Sequence, residues 1–161
     1  AELALMNRMM IEDEESGNPM SLTALEDRMC DWLTRGAYEA VLIYRNDDIV
    51  GYVLYREETD EYDADRVNVF VRQFFVKRAY RRRGIGQTAF EQVAGTHFPD
   101  NATIVLEVGA RSLQGRAFWE RMGFEPFSTT YRRRIEIPER GLVSICLAGR
   151  CPATPQRVCA H

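Results

Sequence analysis

Residues 66 to 109 constrain the fold more than any other part of the chain. "RVNVFVRQFFV" (66–76) is rich in β-branched and aromatic residues and reads as a long strand, and "TIVLEVG" (103–109) reads as another. Between them lies the loop "RRRGIG" (81–86). The stretch from Gly86 to about Thr96 then places Phe90 and Val93 on one helical face. Strand, helix, strand in this order predicts a β-α-β unit, with a parallel pair joined by a right-handed crossover. The loop falls at the carboxyl end of the first strand, where open α/β sheets bind ligands.

The flanking segments extend this pattern. Leu3, Leu5, Met6, Met9, Met10 and Ile11 approach helical spacing and stop at the turn-like "SGNP". Thr23-Ala-Leu-Glu26 fits a capping box, with Leu25, Met29 and Trp32 on one face of the helix it would open. "YEAVLIYR" and "IVGYVLYR", joined by "NDD", predict an antiparallel hairpin. "SLQGRAFWERM" (112–122) predicts a helix with Leu113, Ala117, Phe118 or Trp119, and Met122 on its apolar side, stopped by Gly123. Residues 124–137 and 142–148 read as a closing strand pair. The fold expected is a mixed α/β (α+β) sheet in a single domain over 1–148, with a flexible tail over 149–161.

Composition sets the outer limits. With 161 residues, 45 % of them hydrophobic and 28 % charged, the chain can bury a proper core. No apolar run approaches the roughly 20 residues of a membrane span, and the opening "AELALMNRMMIEDEES" lacks the basic start and apolar core of a signal peptide. Cys30, Cys146, Cys151 and Cys159 form no C-x-x-C pair and no metal-like spacing with His97 or His161, so neither a metal nor a disulfide framework is expected and the setting read is cytoplasmic. A net charge of −3 argues against general nucleic-acid binding. Locally the balance reverses: Arg72, Lys77, Arg78, Arg81, Arg82 and Arg83 form a basic run with no acid among them.

The glycine loop admits several readings. A Walker loop requires Gly-Lys, a dipeptide absent from the chain. Gly84-Ile-Gly86-Gln-Thr-Ala89 matches the dinucleotide pattern G-x-G-x-x-A, and Glu107 follows about 20 residues on. In that motif, however, the strand runs almost directly into the first glycine, whereas "KRAYRRR" intervenes here. A plain solvated turn accounts for the glycines alone. A phosphate cradle accounts for both glycines and arginines: the glycines let backbone N–H groups converge, the helix start adds partial positive charge, and guanidinium groups add bidentate donors.

Arg81-x-x-Gly84-x-Gly86 resembles the R/Q-x-x-G-x-G/A motif of the GNAT N-acetyltransferase superfamily. "FFV" before the loop is similar to that family's fourth strand, and "LEVGARSLQGRAFWERMGF" (106–124) to its fifth strand and following helix. The resemblance covers residues 1 to about 148 and implies the GNAT fold, a central, mostly antiparallel sheet with helices on both faces. The family's first strand would lie upstream of residue 1. It further implies acetyl-coenzyme A as cofactor and direct acetyl transfer to a primary amine of a small molecule or peptide. The rival is a module of the same fold that binds acyl-coenzyme A without turnover. No nucleic acid or membrane partner is implied, and a closing strand pair would suit a homodimer.

The resemblance also assigns residues. Backbone N–H groups from Arg82, Arg83, Gly84, Ile85, Gly86 and Gln87, with Arg81 opening the motif, would grip the pyrophosphate. The main chain of Phe74, Phe75 and Val76 would pair with pantetheine, and the Val76 N–H would face the thioester oxygen. Ser112 stands where many members have Asn. Trp119 stands where many have the Tyr that protonates the leaving thiolate, a task an indole N–H cannot perform; Trp119 would pack against pantetheine or in the core, and the proton would come from Tyr131, if the closing strands approach the site, or from water. Glu107 is the candidate base, with Gln73 and Tyr55 able to order a water. The acids of "EDEES", Asp13 and Glu15 among them, would favour a cationic acceptor such as a polyamine, amino sugar, lysine or peptide amino terminus.

Overall fold

The structure is a computed structural model that describes residues 1–134 apart from 61 and 64. The chain divides into a compact unit from Ala1 to Glu125 and a second from Pro126 to His161. In the first unit the order is α1 (Glu2–Asp13), α2 (Leu22–Thr34), β1 (Glu39–Arg45), β2 (Asp48–Thr59), β3 (Val67–Val76), a 3₁₀ turn (Arg78–Tyr80), α3 (Ile85–His97), β4 (Thr103–Leu106) and α4 (Leu113–Arg121). Among the described residues no helix is long and apolar enough to cross a membrane.

The sheet order is β1-β2-β3-β4, with the first two pairings antiparallel and β3–β4 parallel. The hairpin forms as expected: Arg45 faces Asp48 across a two-residue turn, and Asn46 takes the left-handed conformation (φ 54°) that such turns require. The two faces of the sheet are covered separately. Met6 of α1 and Met29 of α2 pack on Tyr52, Leu54 and Phe75, while Ala89, Phe90 and Val93 of α3 pack on Val53, Val69, Val71 and Val76. This separation follows from alternation along the strands, since neighbouring residues point to opposite faces.

Several local expectations are corrected. Ser21, not Thr23, caps α2, its Oγ accepting the Ala24 N–H at 3.2 Å; Ala24 thus occupies the position a capping box gives to Glu. Leu113 is 72 % exposed because it opens α4 on the outward side, and the apolar face of that helix is carried by Phe118, Trp119 and Met122. β4 ends at Leu106, so Glu107 to Gly109 lie beyond it. The strand expected over 124–137 is not formed across residues 124–134, which carry no regular hydrogen-bonded structure; the rest of that segment and 142–148 lie outside the described residues.

Gly51 of β2 faces Val76 of β3, and a Cβ there would sit 2.2 Å from the Phe75 carbonyl oxygen. Backbone cannot swing aside as a side chain can, so Gly51→Ala is expected to destabilise the protein by about 2 kcal/mol or more, read as a lower denaturant midpoint.

Candidate functional site

β3 is longer than its parallel partner. The pairing runs from Asn68↔Thr103 to Val71↔Leu106 and stops, leaving β3 residues 72–76 without a strand neighbour on that side among the described residues. The Lys77 N–H donates to the Val50 carbonyl (2.8 Å), which fixes the alternation of this stretch: Val76, facing Gly51, directs its own N–H and C=O away from β2, and Phe74 does the same. The open side therefore presents an unpaired strand edge that an extended molecule can join.

The loop beyond β3 is built around two left-handed residues, Arg82 (φ 59°) and Gly84 (φ 75°), the latter being the N-cap of α3. No protein atom lies within 4 Å of where a Gly84 Cβ would project, so backbone conformation, not crowding, requires glycine there. Thr88 is the first residue to bond back into the helix, to the Gly84 carbonyl at 3.1 Å. Among the described residues the six N–H groups from Arg82 to Gln87 meet no acceptor. Such a run of donors at a helix start is an anion site.

The basic run divides by role. Arg81 and Arg78 both bond the Asp13 carboxylate at the end of α1, whose side chain is only 14 % exposed. Arg81 also donates from Nε to the Val76 carbonyl (2.7 Å), and its guanidinium lies 5.2 Å from the Phe75 ring centre. It is a brace between α1, the end of β3 and the loop. Arg82 and Arg83 are exposed and have no ion-pair partner among the described residues, so they are the cations left to face a ligand. The structure thus also removes Asp13 from the acids expected to attract a cationic acceptor.

The other assigned residues are placed as follows. Phe74 centres an aromatic cluster with Phe90 (5.5 Å), Phe118 (5.7 Å, stacked) and Trp119 (5.5 Å), while Phe75 turns to the opposite face beside Tyr52. Ile85 packs on the same core, and Gln87 Nε2 donates to Glu91 Oε1 at 3.0 Å. Ser112 is the N-cap residue of α4, and its Oγ sits only 2.6 Å from where a Gly115 Cβ would lie. Trp119 is set, partly buried, in the aromatic cluster with Phe90, Phe118 and Phe124. Glu107, just past β4, is 71 % exposed and lies 3.5 Å from Arg72 Nη1. Tyr131 belongs to the second unit and is 90 % exposed. Tyr55 is buried on the α3 side with its hydroxyl bonded to Glu39 Oε2 (2.9 Å), which occupies it.

A polar group on the α1/α2 side was not legible beforehand: Asn7, Arg28 and Tyr52, with Gln73 accepting the Tyr52 hydroxyl at 2.9 Å. Glu14, at the C-cap of α1, joins them electrostatically. Although exposed overall, its carboxyl is held above the usual range by partial desolvation and by Asp13 beside it. These residues come from separate elements and share no spacing, so no sequence signal marks them as a set.

The β-α-β unit, the open strand edge and the glycine-rich anion turn define a class of cofactor-binding α/β domain. The chain belongs to the GNAT acetyltransferase family: the model of the Acetyltransferase (GNAT) family matches residues 6–124. Solved structures share its fold. A possible acetyltransferase from Clostridium difficile 630 is similar with a TM-score of 0.68 at 17 % identity, over 84 % of this chain and 91 % of that one. The tetramutant of the BH1408 protein from Bacillus halodurans gives 0.67 at 16 %, over 83 % and 92 %. Arabidopsis thaliana Naa50, in complex with the bisubstrate analogue CoA-Ac-MVNAL, gives 0.50 at 28 %, over 63 % and 66 %. No curated protein sequence matches the chain.

Burial, and then the hydrogen bond and charge of Glu39 with the charge of Glu57, push the Tyr55 hydroxyl up from 10.0 to about 12; burial also raises Tyr52. In the unfolded chain both phenols ionise near 10, so this contribution to stability is complete below pH 10 and lost as pH rises towards 12. Chemical denaturation from pH 9 to about 12 is expected to show that fall, diminished in Tyr55→Phe.

Proposed function

We propose that the chain is an acetyl-coenzyme A-dependent N-acetyltransferase that passes an acetyl group directly to a primary amine of a small molecule or peptide, in the cytoplasm and from a single domain spanning 1–148. The observation that carries this reading is the unbroken run of unpaired N–H groups from Arg82 to Gln87, next to a strand edge left open at Phe74 and Val76. The run fits a pyrophosphate and the edge fits the amide-bearing pantetheine arm, two features that a solvated turn or a dinucleotide site does not require together.

When bound, acetyl-coenzyme A supplies the activated acetyl thioester. The loop N–H groups and Arg82 and Arg83 hold the phosphates, and the Phe74 and Val76 backbone lines up the arm. The Val76 N–H, turned to the open side, stabilises negative charge on the carbonyl oxygen as the amine attacks. Arg81 holds the following peptide through its bond to the Val76 carbonyl and so fixes the end of β3. Ser112 offers its hydroxyl to the cofactor. Glu107, at the point where β4 ends and β3 continues, takes the amine proton directly or through solvent. Tyr131 is assigned the return of a proton to the thiolate, because the Trp119 indole cannot give one.

Calorimetric titration beside a thiol-release assay over an amine panel tests the reading. Gly84→Asp sets a carboxylate and a Cβ against the phosphates and the left-handed backbone, and is expected to abolish acetyl-coenzyme A binding. Glu107→Gln is expected to keep cofactor affinity while lowering kcat about a hundredfold. Cofactor binding without thiol release from any amine would favour the non-catalytic module, and no cofactor binding would overturn the whole assignment.

A further inference from the structure

We infer that the amine acceptor carries a carboxylate, bound by the Arg28 guanidinium beside Asn7 and Tyr52 under α1 and α2. The inference rests on the acetyl-transfer reading above and names the class of its acceptor as free amino acids.

Arg28 is a partly buried cation with only neutral contacts. Its Nη2 donates to Asn7 Oδ1 at 2.8 Å, its Nη1 meets the Met20 thioether at 3.2 Å, and its guanidinium lies 4.8 Å from the Trp32 ring centre. Its Nε is buried with no acceptor among the described residues. Arg35, Arg56, Arg66, Arg72, Arg78 and Arg81 each have a carboxylate within ion-pair distance; among the described residues Arg28 has none. Glu14, whose charge reaches Tyr52, closes no ion pair with Arg28, and the cationic Arg72 lies near enough to disfavour the charge on Arg28 further.

Asn7 deepens the deficit. It is fully buried at 0 % exposure, its oxygen is occupied by Arg28, and its Nδ2 finds no acceptor among the described residues. Asn7 also interacts with the Tyr52 hydroxyl, which itself donates to Gln73, so its deficit is partial and Arg28 Nε is the donor left with no partner among the described residues. The cluster therefore has spare N–H donors and positive charge, and lacks acceptors and negative charge. An unpaired buried donor is destabilising, and native interiors rarely retain one. A carboxylate supplies what is missing, and charge-assisted bonds to guanidinium are the strongest it can make. The contact it would replace is the weakest in the set, the Met20 thioether at the end of the α1–α2 segment.

The cluster is also next to the proposed chemistry. Tyr52 faces Phe75 across β2 and β3, and Gln73 lies two residues past the last β3–β4 pair, within the open stretch that ends at Val76. Gln73 therefore ties the cation-rich cluster to the open stretch of β3 that the acetyl-transfer reading uses, and an α-amino acid, whose amine and carboxylate share one carbon, would present its amine to the part of that stretch beside Gln73.

The test compares amino acids with their decarboxylated twins, phenylalanine with phenethylamine and leucine with isoamylamine, in wild type, Arg28→Met and Arg28→Lys. Coenzyme A affinity and thermal melting in each variant show that the fold is kept, and Arg28→Lys retains a charge should Arg28→Met fail to fold. In wild type the amino acid is expected to exceed its twin in kcat/KM by about tenfold or more. That ratio should fall towards one in Arg28→Met and lie between in Arg28→Lys. Equal use of both twins by wild type, or a preference that survives in Arg28→Met, would overturn the inference while leaving acetyl transfer intact. Should no twin be turned over, acetyl transfer fails separately. The carboxylate is then judged by titrating phenylalanine against Trp32 emission: saturable binding lost in Arg28→Met supports it, and its absence overturns it.

Discussion

The site depends on a mismatch of strand lengths. β3 has ten residues and β4 has four, and their pairing is complete by Val71↔Leu106. Had β4 continued in the same register to Arg111, the edge at Phe74 and Val76 would be covered and nothing could join it. The cause lies in local sequence. Beyond Leu106 come Gly109 and a turn in which the Ser112 N–H bonds the Gly109 carbonyl at 2.8 Å, so the chain bends into α4. β3 meanwhile stays extended because β2 continues to pair with it as far as Gly51↔Val76. One neighbour keeps the strand straight while the other leaves.

A protein with net charge −3 can bind an anion only if its cations are placed by local structure. Of four arginines between residues 78 and 83, two share the Asp13 carboxylate and two have no ion-pair partner among the described residues. The pair on Asp13 fixes the end of β3 and the start of the loop to α1, and Arg81 in particular joins a carboxylate, a backbone carbonyl and an aromatic face. The exposed pair can then act without having to hold the structure as well. A loop of equivalent charge lacking Asp13 would leave all four to repel one another around a backbone that must stay in left-handed conformations at Arg82 and Gly84.

Much of this frame was legible in the sequence, for identifiable reasons. The hairpin, β3 and α3 follow from period-two and helical patterns reinforced by Asn46 and by the glycine loop, where local preference and tertiary packing agree. The family motif marked the loop and its glycines. Errors arose where a pattern had two solutions. Thr23-x-x-Glu26 and Ser21 both offer a cap, and the earlier one prevails because its own N3 donor, on Ala24, lies within reach. Leu113 fits a helical stripe, yet as the first residue of α4 it has no facing element. Asp13 reads as a surface acid until the fold sets Arg78 and Arg81 against it, some 65 and 68 residues away in sequence. Asn7, Arg28 and Tyr52 could not be read as a set at all, since only the stacking of α1 and α2 on β2 brings them together.

Trp119 links core packing to chemistry. Its ring is 4.9 Å from those of Phe90 and Phe118 and 5.0 Å from Phe124, with Phe74 at 5.5 Å, so it is enclosed by four aromatic groups. The ring faces of this box suit a flat apolar body, and the indole, larger than a phenol ring, fills more of the space. The same box supports the loop: a Cβ on Gly86 would rest 3.5 Å from Phe118 and 3.9 Å from Phe74, so the first turn of α3 is seated directly on it. Phe74 in turn belongs to the open edge. The box therefore sets the spacing between the anion turn and that edge, and a rigid filler at 119 holds the spacing more firmly than a residue that must also deliver a proton. In the proposed acetyl transfer, proton return to the leaving thiolate would then come from outside the box, and Trp119 would alter the route of one proton while keeping the packing that supports the loop.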